Sequence, residues 1–244
     1  MANFFFQFKQ FTVHQQFCAM KVSTDSCIFG AAIAESLAAK ELQDAGSINH
    51  YLDIGTGTGL LSLMLAQKTT AFIDAVEIDN DAFEEAKNNF NESIFKERVS
   101  IYNSDILHFS FSTKYDAIIC NPPFFEGDLQ STDKKKNTAK HDTGLTLQQL
   151  LLIADAHLKD DGTLAVLLPY HRVDNFINKA SALNFCIAEK ILLRNNLNHP
   201  YFRGILFLSK INMPTINRQL VIKNEAGDYS REFVALLKDY YLYL

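Results

Sequence analysis

The most specific chemistry in this chain of 244 residues sits in four of them, Asn121-Pro122-Pro123-Phe124. The asparagine Oδ1 and the Pro122 carbonyl are both hydrogen-bond acceptors, and proline contributes no competing N–H. Two such acceptors can hold both hydrogens of an exocyclic amino group, favour a pyramidal nitrogen and free a lone pair that a purine ring otherwise delocalises. The prolines stiffen the corner, which favours one attack geometry. Phe124 offers a flat apolar face on which a base can stack, an interaction worth roughly 1–3 kcal/mol. Holding a base there means taking it out of its own stack or loop.

A second group lies upstream, in Asp53-Ile54-Gly55-Thr56-Gly57-Thr58-Gly59. It is not the dinucleotide fingerprint, which, begun at Gly55, would need glycine where Leu60 stands. Glycines in such a turn let the backbone approach a ligand closely, and a following helix offers free N–H groups. Glu77 ends the run Ala75-Val76-Glu77, where an acid accepts hydrogen bonds from a ribose diol. Asp105 and Ile106 follow the next strand-like run.

These residues need strands to carry them. Apolar runs predict strands at His50–Ile54, Ala71–Glu77, Arg98–Tyr102, Tyr115–Cys120, Thr163–Leu168, Ala188–Leu193 and Ile205–Leu208. Between them, Phe83, Ala86 and Phe90 mark one helical face, and Leu147, Leu150, Leu151, Ala154 and Leu158 another. Thr146-x-x-Gln149 fits a capping box at the start of the second helix, and Asp160-Asp161-Gly162 ends it. Strands apolar on both faces and alternating with helices imply a parallel sheet covered on both sides. After Ile205–Leu208 the sequence predicts a polar connection and an amphipathic helix over Glu232–Tyr240.

The composition is that of a globular protein, 48% hydrophobic and 21% charged, with no apolar run long enough to span a membrane. The phenylalanine-rich start has no basic segment or cleavage site of a signal peptide, so the expected compartment is the cytoplasm. Cys18, Cys27, Cys120 and Cys186 are scattered, which argues against disulfides and zinc and leads us to expect no metal. A net charge of −5 argues against a generic nucleic-acid binder, though local patches matter more than the sum. Candidate patches are Lys134–Lys136, Lys140-His141 and Arg194 to Arg203.

Acid, glycine turn, second acid and Asn-Pro-Pro-aromatic corner, in that order, resemble the class I S-adenosylmethionine-dependent methyltransferases of exocyclic amino groups. The resemblance implies an α/β, Rossmann-like fold with a seven-stranded, mostly parallel sheet and helices on both faces. It implies S-adenosylmethionine as cofactor, bound by Asp53, Gly55, Gly57, Gly59, Glu77, Asp105, Ile106 and Asn121. Asp105 resembles the acid that meets the adenine amino group of that cofactor.

The N-terminus narrows the family. Phe8-Lys9-Gln10-Phe11, His14 and Cys18-Ala19-Met20-Lys21-Val22-Ser23-Thr24-Asp25 resemble the bacterial tRNA (adenine-N6) methyltransferases acting on adenine 37, beside the anticodon of a valine tRNA. Gly127, Ser131, Ala139-Lys140-His141, Leu145 and Leu147 continue the likeness, which weakens after about Arg203. It implies tRNA as partner and a catalytic corner of Asn121, Pro122, Pro123 and Phe124. Lys21, Thr24 and Asp25 would close over the cofactor's amino-acid end, with a plain helix cap as the alternative for Asp25. Phe125, Lys140 and His141 are substrate candidates. Position 124 is often tyrosine and position 140 arginine in that family; here Phe keeps stacking and Lys keeps charge without the planar fork.

The alternatives left open are guanine-N2 methylation of ribosomal RNA, glutamine-N5 methylation of a release factor, and a cofactor-binding RNA-binding protein without turnover. A release-factor methylase would carry a longer helical segment before the glycine turn. His14 is expected in the core or at the surface rather than in catalysis, the Phe4–Phe6 cluster in packing, and Arg203 in a structural role. The expected organisation is one monomeric methyltransferase domain over 1–244, with an N-terminal extension and helix over the cofactor side (1–47), a core (48–210) and a C-terminal helix (211–244).

Overall fold

Alternation along the central strands builds a core on each face of one sheet. Tyr51, Ala117, Ile119, Ala165 and Leu167 join one buried cluster. Their neighbours Leu52, Ile54, Ile118, Cys120, Leu164, Val166 and Leu168 join the other. Successive strand side chains point to opposite faces, so a strand apolar at every position must be covered twice.

The computed structural model describes residues 4–18, 20–44, 46–122 and 144–244. The chain begins with strands β1 (Phe5–Gln7) and β2 (Thr12–His14) and helix α1 (Thr24–Gln43). There follow β3 (His50–Ile54), α2 (Leu60–Lys68), β4 (Phe72–Glu77), α3 (Asn80–Glu92), β5 (Val99–Asn103) and β6 (Tyr115–Cys120). Beyond the undescribed 123–143 come α4 (Leu147–His157), β7 (Leu158–Pro169), α5 (Val173–Ser181), β8 (Cys186–Arg194) and β9 (Arg203–Ser209). The last elements are β10 (Ile216–Val221) and α6 (Arg231–Leu237).

The sheet has eight strands in the order β10-β8-β9-β7-β6-β3-β4-β5, one more than the seven expected. The eighth is β10, inside the stretch read as a polar connection. It adds parallel to β8 at the edge, and four of its six residues are exposed. An edge strand with so little buried surface has no apolar pattern to reveal it. Within this sheet, among the described residues, only β9 runs against its neighbours, pairing antiparallel with both β7 and β8, while β1 and β2 form a separate antiparallel pair.

Strand β7 also begins earlier than its apolar run. Leu158 pairs with Tyr115 and Thr163 with Ala117, so Lys159–Gly162 form an irregularity on the β7 side. The Thr146–Gln149 capping box opens α4 as expected. On α3 the buried residues are Ala82, Glu85, Ala86, Asn89 and Phe90. Phe83 is only half-buried, beneath the Lys87 ammonium. Two polar residues thus occupy a face expected to be apolar.

The order β4–β3–β6–β7 places a switch point between β3 and β6, where the strand order reverses. Ile54 pairs with Cys120 there, so the turn after β3 and the corner after β6 emerge side by side. Ligands of open α/β sheets bind in such crevices, beyond the carboxyl ends of the strands.

Candidate active site

Gly55, Gly57 and Gly59 all have positive φ, at 69°, 57° and 82°. At Gly59 the requirement is also steric, since a Cβ would lie 2.3 Å from Phe90 Cε1. Gly59 therefore seats the start of α2 against α3. At Gly55, by contrast, a Cβ would meet nothing within 4 Å, so this part of the turn borders open space.

Glu77 ties the turn to the next strand. Its Oε2 accepts the Gly57 N–H at 2.9 Å, and its Oε1 accepts the Asp79 N–H at 2.9 Å. Asp79 in turn caps α3 by accepting the Ala82 N–H. Beneath the turn, Asp53 is wholly buried on the face toward α2. Its Oδ2 accepts the hydroxyls of Thr56 and Ser62, each at 2.7 Å. Its Oδ1 has no partner among the described residues. Burial pushes the Asp53 carboxyl up to about 6, against the lowering effect of the two hydroxyls.

Two adjoining clefts open over these residues. One, of about 320 Å3, is lined by Gly55, Gly57, Glu77, Asp105, Ile106 and Asn121, with Cys18 and Met20 at its side. The other, of about 310 Å3, shares Gly55, Gly57 and Asn121 and adds Lys21, Asp25 and Arg203. Asn121 stands where they meet, and its buried Oδ1 has no partner among the described residues. Asp105 caps the short 3-10 turn Ile106–His108 through its Leu107 contact at 2.9 Å. Pro122 is buried. Thr24 is exposed and lines neither cleft. Pro123, Phe124, Phe125, Lys140 and His141 lie outside the described residues, as do Gly127, Ser131 and Lys134–Lys136.

The methyltransferase small domain family model matches residues 19–180. The tRNA1(Val) (adenine(37)-N6)-methyltransferase of Cytophaga hutchinsonii is 38% identical, over the whole of both chains. The protein of the same name from Pectobacterium carotovorum is 37% identical over 98% of this chain and 94% of that one. The chain belongs to this methyltransferase family. The crystal structure of a predicted O-methyltransferase from Agrobacterium tumefaciens shares the fold, with a TM-score of 0.65 at 14% identity over 87% of this chain and 95% of that one.

The N-terminal segment that borders the clefts is held by α3. The Glu85 carboxylate accepts three successive backbone N–H groups: Gln16 and Phe17 at Oε1, and Cys18 at Oε2 at 2.8 Å. One turn later, Asn89 accepts the His14 N–H at 2.9 Å and donates to the carbonyls of His14 and Thr58. Gln15 Oε1 accepts the Val22 N–H at 2.7 Å. These contacts fix the segment that carries Cys18 and Met20. Sequence reasoning missed them; the signal was an acid and an amide at i, i+4 on the apolar side of α3.

Ser23, not Asp25, is the N-cap of α1, in a box with Ser26. Asp25 instead accepts the Arg203 Nε–H at 2.8 Å, joining α1 to the start of β9. The structural role expected for Arg203 is thus an ion pair across the second cleft. Arg194 donates to Leu197 O and Gln219 Oε1 and lies 5.2 Å from the Tyr201 ring centre. His14 is a surface residue beside Glu92 at 3.3 Å. Phe8 and Phe11 stack and are buried, whereas Phe4 and Phe5 are largely exposed. All four cysteines are free thiols. Among the described residues no cluster of His, Cys, Asp and Glu could hold a metal, and no helix is long and apolar enough to cross a membrane.

Proposed function

We propose that this protein transfers a methyl group from S-adenosylmethionine to N6 of adenine in tRNA, at adenine 37 of the valine tRNA named for its relatives. One observation carries the site assignment: the buried Asn121 Oδ1, without a partner among the described residues, at the junction of two clefts. A buried acceptor without a donor costs about 1–3 kcal/mol, and an amino N–H arriving from a substrate would recover that cost.

The residues present fit the cofactor. Glu77 already receives two backbone N–H groups, and a carboxylate has acceptor capacity left for a ribose diol. The open space at Gly55 admits a ligand against the backbone, and Asp105 with Ile106 borders the same cleft. Lys21 and Asp25 line the second cleft, on the side assigned to the amino-acid end.

When bound, the cofactor supplies a sulfonium methyl electrophilic enough that neither a metal nor a strong general base is required. Asn121 Oδ1 and the Pro122 carbonyl would accept the two amino hydrogens and so leave the nitrogen lone pair free to face the bound cofactor, the surplus amino proton passing to solvent. Phe124 is assigned the stacking of the extruded base. A tRNA substrate implies work in the cytoplasm, and the chain is read as one methyltransferase unit over 1–244.

The test is mass spectrometry of nucleosides from unmodified tRNA and ribosomal RNA incubated with purified protein and labelled cofactor. N6-methyladenosine confined to tRNA is expected. Label in N2-methylguanosine of ribosomal RNA, or none in RNA, would overturn the substrate assignment.

A further inference from the structure

The N-terminal segment that borders both clefts is pinned on opposite sides of the β3–β6 switch point. On the β4 side, Glu85 of α3 accepts the N–H groups of Gln16, Phe17 and Cys18. Cys18 Sγ then lies against the glycine turn, 3.6 Å from where a Gly57 Cβ would stand. Met20 borders both clefts, and Lys21 and Asp25 border the second.

The other pin is on the β7 side, at β9. Asp25 stands in the first turn of α1, and its two oxygens face different partners. Oδ1 accepts the Ser23 hydroxyl and the Ser26 N–H, both within that turn. Oδ2 accepts the Arg203 Nε–H at 2.8 Å, from 178 positions away. Arg203 Nη1 also donates to Phe202 O at 3.2 Å, and its backbone pairs with Pro169 of β7 and Leu193 of β8. The cation is thus fixed by the sheet, and the acid belongs to the start of α1.

The pair is sheltered, with the Arg203 and Asp25 side chains 25% and 15% exposed, so salt screens it less than a surface pair. Among the described residues, the charged groups lining this cleft are Lys21, Asp25 and Arg203. Both Asp25 oxygens are engaged, so this acid holds the cleft wall.

We infer that Arg203 is a positioning residue for cofactor binding: through Asp25 it fixes the start of α1 to β9 and so sets Met20 and Lys21 beside the clefts. A segment held at one end alone must be ordered when ligand binds, which costs affinity; a second pin meets that cost in advance. This inference rests on the cofactor site assigned above and not on the identity of the RNA.

The test is a double-mutant cycle on the full chain, with S-adenosylmethionine titrated by calorimetry in the absence of RNA. Arg203→Met and Asp25→Asn should each raise the cofactor Kd about tenfold. The double variant should bind no more weakly than either single one, because both remove the same contact. In turnover, each should raise the cofactor KM while kcat stays within about twofold of wild type. Losses that multiply, to about a hundredfold in the double variant, would mean that each side chain acts on the cofactor by itself and would overturn the inference. An unaltered Kd in either single variant overturns it too, as does a fall in kcat with KM unchanged. Asp25→Asn keeps the side chain's shape, so the prediction stands on that variant where Arg203→Met does not fold. Glu77→Ala separates the two levels: if its Kd is unaltered, the site assignment fails and the pin with it. A weakened Glu77→Ala beside an unaltered Arg203→Met overturns the pin alone.

Discussion

The Glu77 carboxylate holds the Gly57 N–H at 2.9 Å, bridging the turn after β3 to the end of β4. Its other oxygen takes the Asp79 N–H, so a single side chain sets both the glycine turn and the entry to α3. Glu77→Ala should raise the cofactor Kd at least about tenfold, because the mutation leaves two backbone donors unpaired as well as removing an acceptor. Calorimetry reads this directly, and an unaltered Kd would refute the role.

Asn121 differs in kind, since its Oδ1 stabilises no neighbour among the described residues. Asn121→Ala should reduce turnover roughly a hundredfold or more, as loss of one preorganised polar group does elsewhere. Cofactor affinity and thermal midpoint should stay near wild type. Unchanged kinetics would remove Asn121 from the site.

Asp53 sets a pH dependence of stability. Its folded-state carboxyl titrates at about 6, above the ordinary 3.8, so the folded protein binds more protons than the unfolded chain between those values. Its contribution is fully present below about pH 4 and lost as pH rises through 6. Asp53→Asn cannot titrate. Wild type should therefore lose on the order of 2–3 kcal/mol relative to this variant between pH 4 and pH 7. Paired urea titrations at the two pH values measure the difference; parallel curves would contradict the burial argument.

Glu85 anchors the N-terminal segment through three backbone N–H groups. Glu85→Ala should cost roughly 2–3 kcal/mol in chemical denaturation. It should also raise KM for the cofactor, because Cys18 and Met20 border the cleft. A stability loss with unaltered KM would show that the segment packs without shaping the site.

Gly59→Ala places a methyl 2.3 Å from Phe90 Cε1 and imposes a left-handed conformation on alanine. The expected cost is roughly 2–4 kcal/mol in the denaturation midpoint. Adding Phe90→Leu should return only the steric part. Complete recovery in the double variant would mean that φ costs nothing here.

Local chemistry was legible in the chain itself. The runs His50–Ile54 and Tyr115–Cys120 are strands with those bounds, because burial on both faces favours mostly apolar residues, here interrupted only by Asp53 and Asp116. The capping box at Thr146 was equally readable, since it depends on residues three positions apart. Tertiary structure alone decided that Glu85 would receive the amides of residues 16–18, a contact across 67 to 69 positions. It likewise decided that Asp25 would meet Arg203 and that β10 would join the edge. Such pairings leave no period in the sequence: a hydrogen bond or edge strand is satisfied by whichever partner the packed core brings near. Side-chain periodicity records which face is buried, and the approach of distant polar groups follows only once those faces have closed.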